Sequence, residues 1–329
     1  MKIFLLFSLF SFSYSVFSAT HSSSNQNSLP TNSSWNLKVD DCSQSRGILV
    51  LAHGKSGHDH IFQPSTSNLL PVFFQENFIF HENNEDEWEN TILKMVGEAS
   101  SQIPYPVEVA FGMWDQKNFQ EGITLLAHQS VCEVVIIPLF ISDHSDVIRA
   151  QKYQFHLSEN NPLPFDPGRI TIPTTIKKVL FKSALNDHLF LSQVIAERAK
   201  SISENPSIED LILVAHGPNG DEDDVLWMND LAIHAGRITD SFYKIHRVTL
   251  RDDAPEEIRN AKTKELQAIV KKSIEEKRRP LILPVLLAPG GIEEGLKERL
   301  LGLDYTISPK MLAPDPHLIE WIVQASLTP

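Results

Sequence analysis

Four short runs of the chain are apolar without interruption: Ile48-Leu49-Val50-Leu51, Val134-Val135-Ile136-Ile137, Leu211-Ile212-Leu213-Val214 and Leu281-Ile282-Leu283. A strand with one wet face alternates apolar and polar residues. Unbroken runs of this length therefore fit strands covered on both faces, as in parallel sheets lying between helices. Segments with helical period separate them, at 88–101, 120–130, 145–157, 189–203, 226–242 and 255–277. The last opens on Pro255-Glu256-Glu257, with proline in the first turn and acids at the positive end of the helix dipole. Strands alternating with helices predict an α/β, doubly wound architecture.

The two halves of the pattern match. Ile48-Leu49-Val50-Leu51-Ala52-His53-Gly54 recurs as Leu211-Ile212-Leu213-Val214-Ala215-His216-Gly217. Val135-Ile136-Ile137-Pro138-Leu139-Phe140-Ile141-Ser142 recurs as Leu281-Ile282-Leu283-Pro284-Val285-Leu286-Leu287-Ala288. Two landmarks repeated in the same order indicate two copies of one unit. A polar, proline-containing stretch at 204–207 marks the join, giving an N-terminal domain over 46–205 and a C-terminal domain over 206–329. Two such copies can pack face to face around a cleft, and open sheets of this kind take ligands at their strand C-termini.

Composition sets the compartment and excludes partners. With 29 Lys+Arg against 42 Asp+Glu, the formal charge is −13, which argues against a nucleic-acid partner, since that surface needs clustered cations. Residues 1–18 read as a signal peptide, with Lys2 followed by an apolar stretch too short to span a membrane. An uncleaved anchor is the other reading. Residues 19–45 are a polar Ser/Asn leader without apolar period, expected to be disordered. The mature chain is thus expected to be exported, periplasmic or secreted, with no membrane span. In an oxidising space Cys42 and Cys132, each just before a predicted strand, are expected to form a disulfide rather than remain two unrelated buried thiols.

The candidate chemistry sits at strand ends. His53-Gly54 follows the first buried run directly, and His144 follows the strand that ends near Phe140, in Ser142-Asp143-His144-Ser145. Both imidazoles are expected on one rim, and neutral imidazole is a common ligand of divalent first-row metals. Aligning Pro138 with Pro284 puts His144 opposite Gly290, so the second copy keeps His216 but lacks a second histidine. His216 is then a structural or cleft-lining group, and the C-terminal copy a wall or lid. His58 and His60 are either solvated loop residues or a route for metal toward His53. The acidic runs at 82–89 and 221–224 read as solvated faces, the second of them able to face the cleft. No dinucleotide fingerprint, phosphate loop or nucleophile elbow is present.

The strand-Ala-His-Gly start, the Pro138-Leu139-Phe140-Ile141-Ser142 strand end leading to His144, and the duplication resemble the class II tetrapyrrole chelatases, in particular the CbiX-type sirohydrochlorin cobaltochelatases. Further matching motifs are Thr249-Leu250-Arg251-Asp252-Asp253-Ala254-Pro255, Leu287-Ala288-Pro289-Gly290-Gly291-Ile292-Glu293, Leu300-Leu301-Gly302-Leu303-Asp304-Tyr305 and Pro316-His317. The resemblance covers about Gly47 to Ile322. It implies two tandem chelatase-like domains, each with a parallel four-stranded sheet, and metal held by His53 and His144, which also assist pyrrole deprotonation. It implies insertion of Co²⁺, with Ni²⁺ or Fe²⁺ as alternatives, into sirohydrochlorin, as in cobalamin biosynthesis, without ATP or an organic cofactor. A monomer is expected, because both halves share one chain. Gly54, Lys55, Ser142 and Ser145 are expected to contact the tetrapyrrole. Arg149, with Lys152 near it, would meet its carboxylates, and His216 and His317 would line the cleft. The competing readings are an exported, non-catalytic metal- or tetrapyrrole-binding protein of the same fold, and a purely structural module.

Overall fold

A computed structural model describes residues 45–54, 87–238, 241–289 and 291–328. The first half runs β1 (Arg46–Ala52), α1 (Glu87–Ser100), β2 (Val107–Phe111), α2 (Gln116–His128), β3 (Glu133–Leu139), α3 (Asp146–Gln154), β4 (Lys178–Phe181) and α4 (Leu189–Ile202). The second runs β5 (Glu209–Ala215), α5 (Asp221–Ile238), β6 (Lys244–Thr249), α6 (Glu256–Glu275), β7 (Arg279–Val285), α7 (Ile292–Arg299), β8 (Thr306–Ile307) and α8 (Pro316–Leu327). Two parallel four-stranded sheets result, ordered β2-β1-β3-β4 and β6-β5-β7-β8. The expected α/β architecture of two matched sheets is what the chain adopts.

The four apolar runs are the central strands β1, β3, β5 and β7, each paired on both edges. Along β1, Ile48, Val50 and Ala52 face one apolar cluster while Leu49 and Leu51 face another, so burial on both faces removes any alternation of polarity. The duplication holds at the level of register: Leu51 pairs with Pro138 and Val214 with Pro284. Both prolines lie beyond the residues paired by the short fourth strand, so neither removes a donor which that edge requires.

On the outer faces, α2 packs over the first sheet through Phe119, Ile123 and Leu126, and α6 and α7 over the second through Leu266, Val270 and Leu296. Each inner face is covered by helices from both halves. Helices α1 and α8 lie on the first sheet, α5 and α4 on the second. The last helix of each half has thus been exchanged onto the other half's sheet. Residues of both sheets and all four inner helices form one continuous cluster, and the described residues belong to one compact unit. Polar contacts fix the exchange. Buried Arg46 of β1 donates to Ser326 O of α8 at 3.0 Å, and Arg198 of α4 donates to Met311 O and Leu312 O, each at 2.9 Å.

At the α4–α5 seam, His234 is fully enclosed. Its Nε2 lies 2.8 Å from Asn186 O, which only accepts, so Nδ1 takes the Ser192 hydroxyl at 2.6 Å. Burial pushes the His234 pKa down to about 4. At the start of the central strands, Cys132 N donates to Ser45 O at 2.8 Å. Cys132 is disulfide-bonded, while Cys42 lies outside the described residues.

Two outcomes follow from this packing. Produced separately, residues 46–205 and 206–329 each lack a helix that covers their sheet, so each is expected to bind a hydrophobic dye and lose near-ultraviolet dichroism, with order recovered on mixing. Two independently ordered halves would contradict it. For His234 the unfolded chain binds a proton below pH 6.5 that the folded chain refuses until about 4. Stability is therefore lost as pH falls through that window, by about 3 kcal/mol at ~1.4 kcal/mol per tenfold. Denaturant titrations across pH 4 to 7 should show a shallower fall for His234→Gln.

Candidate functional site

The first site element is the exit of β1. A Cβ placed on Gly54 would lie 2.6 Å from Phe111 Cβ, so only glycine lets the backbone leave the sheet against the end of β2. His53, one residue earlier, is turned out at the rim and exposed. Its carbonyl accepts the Trp88 indole N–H, and its ring stands edge-on to Trp88 with centroids 5.5 Å apart. The surrounding protein depresses its pKa by desolvation, the charge of His216 adds to that, and Asp253 opposes it. The ring is therefore neutral at neutral pH, the state a metal ligand requires.

The second copy repeats the exit with different chemistry. Gly217 has φ +77°, and a Cβ there would lie 2.6 Å from Thr249 Cβ. His216 Nδ1 donates to Gly217 O at 2.7 Å, which leaves Nε2 3.6 Å from Asp253 Oδ2. His53 and His216 thus influence each other electrostatically from the two halves.

His144 is set by a locked turn five residues beyond β3. Asp143 N donates to Asn186 Oδ1 at 2.7 Å, and the Asp143 carboxylate accepts from Ala184 N and Asn186 Nδ2 at 2.8 and 3.1 Å. On the other side Ser145 caps α3, accepting from Ile148 N. Between these anchors, His144 O accepts the Trp227 indole N–H of α5 at 2.8 Å, and its Nε2 lies 3.7 Å from Asp230 Oδ2. Ser142 Oγ, buried beneath, accepts His144 N at 3.2 Å. Burial raises the Asp230 pKa, while His144 pulls it back. His53 thus answers electrostatically to His216 and Asp253, and His144 to α5.

Several expectations change. The acidic run 221–224 is not a solvated face: it forms the first turn of α5, where acids suit the helix dipole, and three of its members are engaged. Asp221 pairs with Arg251 at 2.7 Å, Asp224 accepts from Thr249 Oγ1 at 2.5 Å and lies 3.4 Å from Lys262 Nζ, and Asp223 takes Arg149. Arg149, expected to meet substrate carboxylates, instead makes a two-pronged bond to Asp223 at 3.0 and 2.5 Å and reaches Asp146 at 2.9 Å. That bond joins the halves and neutralises the cation. Lys152 lies over the Phe181 ring, 5.5 Å from its centroid. His317 is tied to α4, with Nε2 3.2 Å from Glu197 and its ring stacked on Phe190. Among the described residues, one group of three ligand types falls within 4.8 Å, namely Glu197, Asp315 and His317, but Asp315 is committed to Arg198 at 3.0 Å and to the cap of α8. Lys55, His58 and His60 lie outside the described residues. Asp230 and Trp227 have no signal in the local sequence; Arg251 and Asp253 fall in a motif that marked the resemblance.

No family model matches the sequence, and no curated protein matches it. Solved structures do. SirB from Bacillus subtilis with Fe3+ is 14% identical at a TM-score of 0.57, over 85% of this chain and 94% of that one. The sirohydrochlorin chelatase SirB from Bacillus subtilis subspecies spizizenii, in complex with cobalt, is 10% identical at a TM-score of 0.55, over 86% and 94%. The agreement spans most of this chain and nearly all of those, and the chain has the class II chelatase fold.

Proposed function

We propose that this chain inserts a divalent metal ion, Co²⁺ foremost, into a tetrapyrrole such as sirohydrochlorin, without ATP. The observation that carries this is the placement of His53 and His144 beyond the ends of adjacent parallel strands, β1 and β3, in a fold shared with a sirohydrochlorin chelatase bound to cobalt. Both histidines are reachable from solvent. Metallation releases two pyrrole N–H protons as the ion enters the ring. A neutral His53 offers its one free lone pair to the incoming ion; once the ion has passed to the ring, the nitrogens freed on His53 and His144 each accept one of the two pyrrole protons and pass it to water. The remaining work is orientation of the macrocycle and removal of water from the ion. Imidazole accepts cobalt, nickel and ferrous iron alike, so the preference for Co²⁺ rests on the resemblance.

The chain is further proposed to act outside the cytoplasm, with cleavage after Ser18 and a Cys42–Cys132 bridge. The bonded state of Cys132, in a chain with two cysteines, supports this. No helix among the described residues is long and apolar enough to cross a membrane.

Mixed with Co²⁺ and sirohydrochlorin, the purified chain should metallate the macrocycle on the order of 100-fold faster than the His53→Ala/His144→Ala double variant, followed by the absorbance of the ring. Equal rates with retained Co²⁺ binding by calorimetry would leave a binding protein, and no binding a structural module. For the exported form, N-terminal sequencing should begin at Ala19, and denatured protein should show no titratable thiol before reduction and two after it.

A further inference from the structure

Asp230 presents a chemical anomaly. Its Oδ2 is buried and has no hydrogen-bond partner. An orphaned buried acceptor is unfavourable, and natural proteins leave few of them. The polar atom facing this one is His144 Nε2, at 3.7 Å. That is a few tenths of an ångström too long for a hydrogen bond, so an approach of that size would complete one.

The setting favours that closure. Trp227 and Asp230 lie three residues apart on α5 and so share a face. Trp227 grips the His144 carbonyl at 2.8 Å while Asp230 faces its ring. One helix of the second half thus holds both the backbone and the side chain of a residue belonging to the first. The other charged groups bearing on Asp230 are Asp187 and Asp143, and Asp223 also faces His144. Asp223 is paired with Arg149 and Asp187 with Arg237, which leaves the unpartnered oxygen of Asp230 to suit an N–H that becomes more positive when the opposite ring nitrogen binds a cation.

We propose that Asp230 is the positioning residue for His144: its Oδ2 accepts the Nε2–H, which fixes the tautomer and leaves the Nδ1 lone pair directed at the metal. Ligating histidines are commonly held in this way by a carboxylate on the far nitrogen, and loss of that partner weakens metal binding by about 10- to 100-fold. The inference rests on the reading of His144 as a metal ligand, and it makes the second half a contributor to the site rather than a wall.

The test uses the full chain with two readouts. Nitrogen-15 chemical shifts of His144 without metal, assigned by comparison with His144→Ala, should report the Nε2–H tautomer, and Asp230→Asn should redistribute it. Calorimetry with Co²⁺ alone should show affinity about 10- to 100-fold weaker for Asp230→Asn and Asp230→Ala, with partial recovery in Asp230→Glu. Ser142→Ala, which leaves Oδ2 in place, should keep the tautomer. An Nδ1–H tautomer in the unsubstituted protein, or one unchanged in Asp230→Asn, overturns the inference. So does unaltered Co²⁺ affinity in both Asp230 variants when His144→Ala has lost it. If His144→Ala binds Co²⁺ normally, the metal-ligand reading of His144 fails, and the tautomer result still decides whether Asp230 orients the ring.

Discussion

Each sheet has an inner face that water must not reach, and in each the cover comes partly from the opposite half. Helix α8 closes the first sheet and α4 the second, and the side chains between them form one cluster that belongs to neither half alone. Because close-packed interiors tolerate little relative displacement, this exchange fixes the relation between the two strand rims. The approach of Trp227 and Asp230 of α5 to His144 follows from it. A site assembled from loops on two loosely tethered domains would need some other device to hold atoms of different halves within a few ångströms.

The sequence made the central strands legible and the edge strands much less so. β1, β3, β5 and β7 are sandwiched on both faces and paired on both edges, so their residues are apolar throughout. β4, as Lys-Val-Leu-Phe, and β6, as Lys-Ile-His-Arg-Val-Thr, have an open edge and carry polar residues that blur the pattern. Helix α5 begins five residues before its apolar period does, because its first turn is filled by acids whose partners, Arg149, Thr249, Arg251 and Lys262, lie far away in the chain. His53 and His144 were visible as strand exits because an apolar run followed by His-Gly or Ser-x-His is a local signal. Trp227 and Asp230 were not, since more than eighty residues separate them from the histidine they hold, and only the packing of α5 brings them there.

The same packing alters what the chain's charge means. A formal balance of −13 suggests unpaired carboxylates everywhere, yet the carboxylates along the start of α5 are largely matched by cations. Arg149 holds the halves together at the rim and is spent in doing so. Next to His144, by contrast, a buried oxygen of Asp230 has no donor. A cation arriving there meets a local field sharper than the net charge of the surface would provide.

Gly54 and Gly217 bear on how the two copies came to differ. In both, the absent side chain lets the exiting backbone pass within contact distance of the neighbouring edge strand, against Phe111 in one and Thr249 in the other. That requirement is steric and is indifferent to any reaction. The copies could therefore differ at the position of His144, where the second has Gly290, and in the helix after the first strand, which in the second copy carries Asp230, while the glycine of each exit met the same steric requirement. The persistence of Ala-His-Gly in both halves records ancestry and packing; the chemistry is recorded in what the halves no longer share.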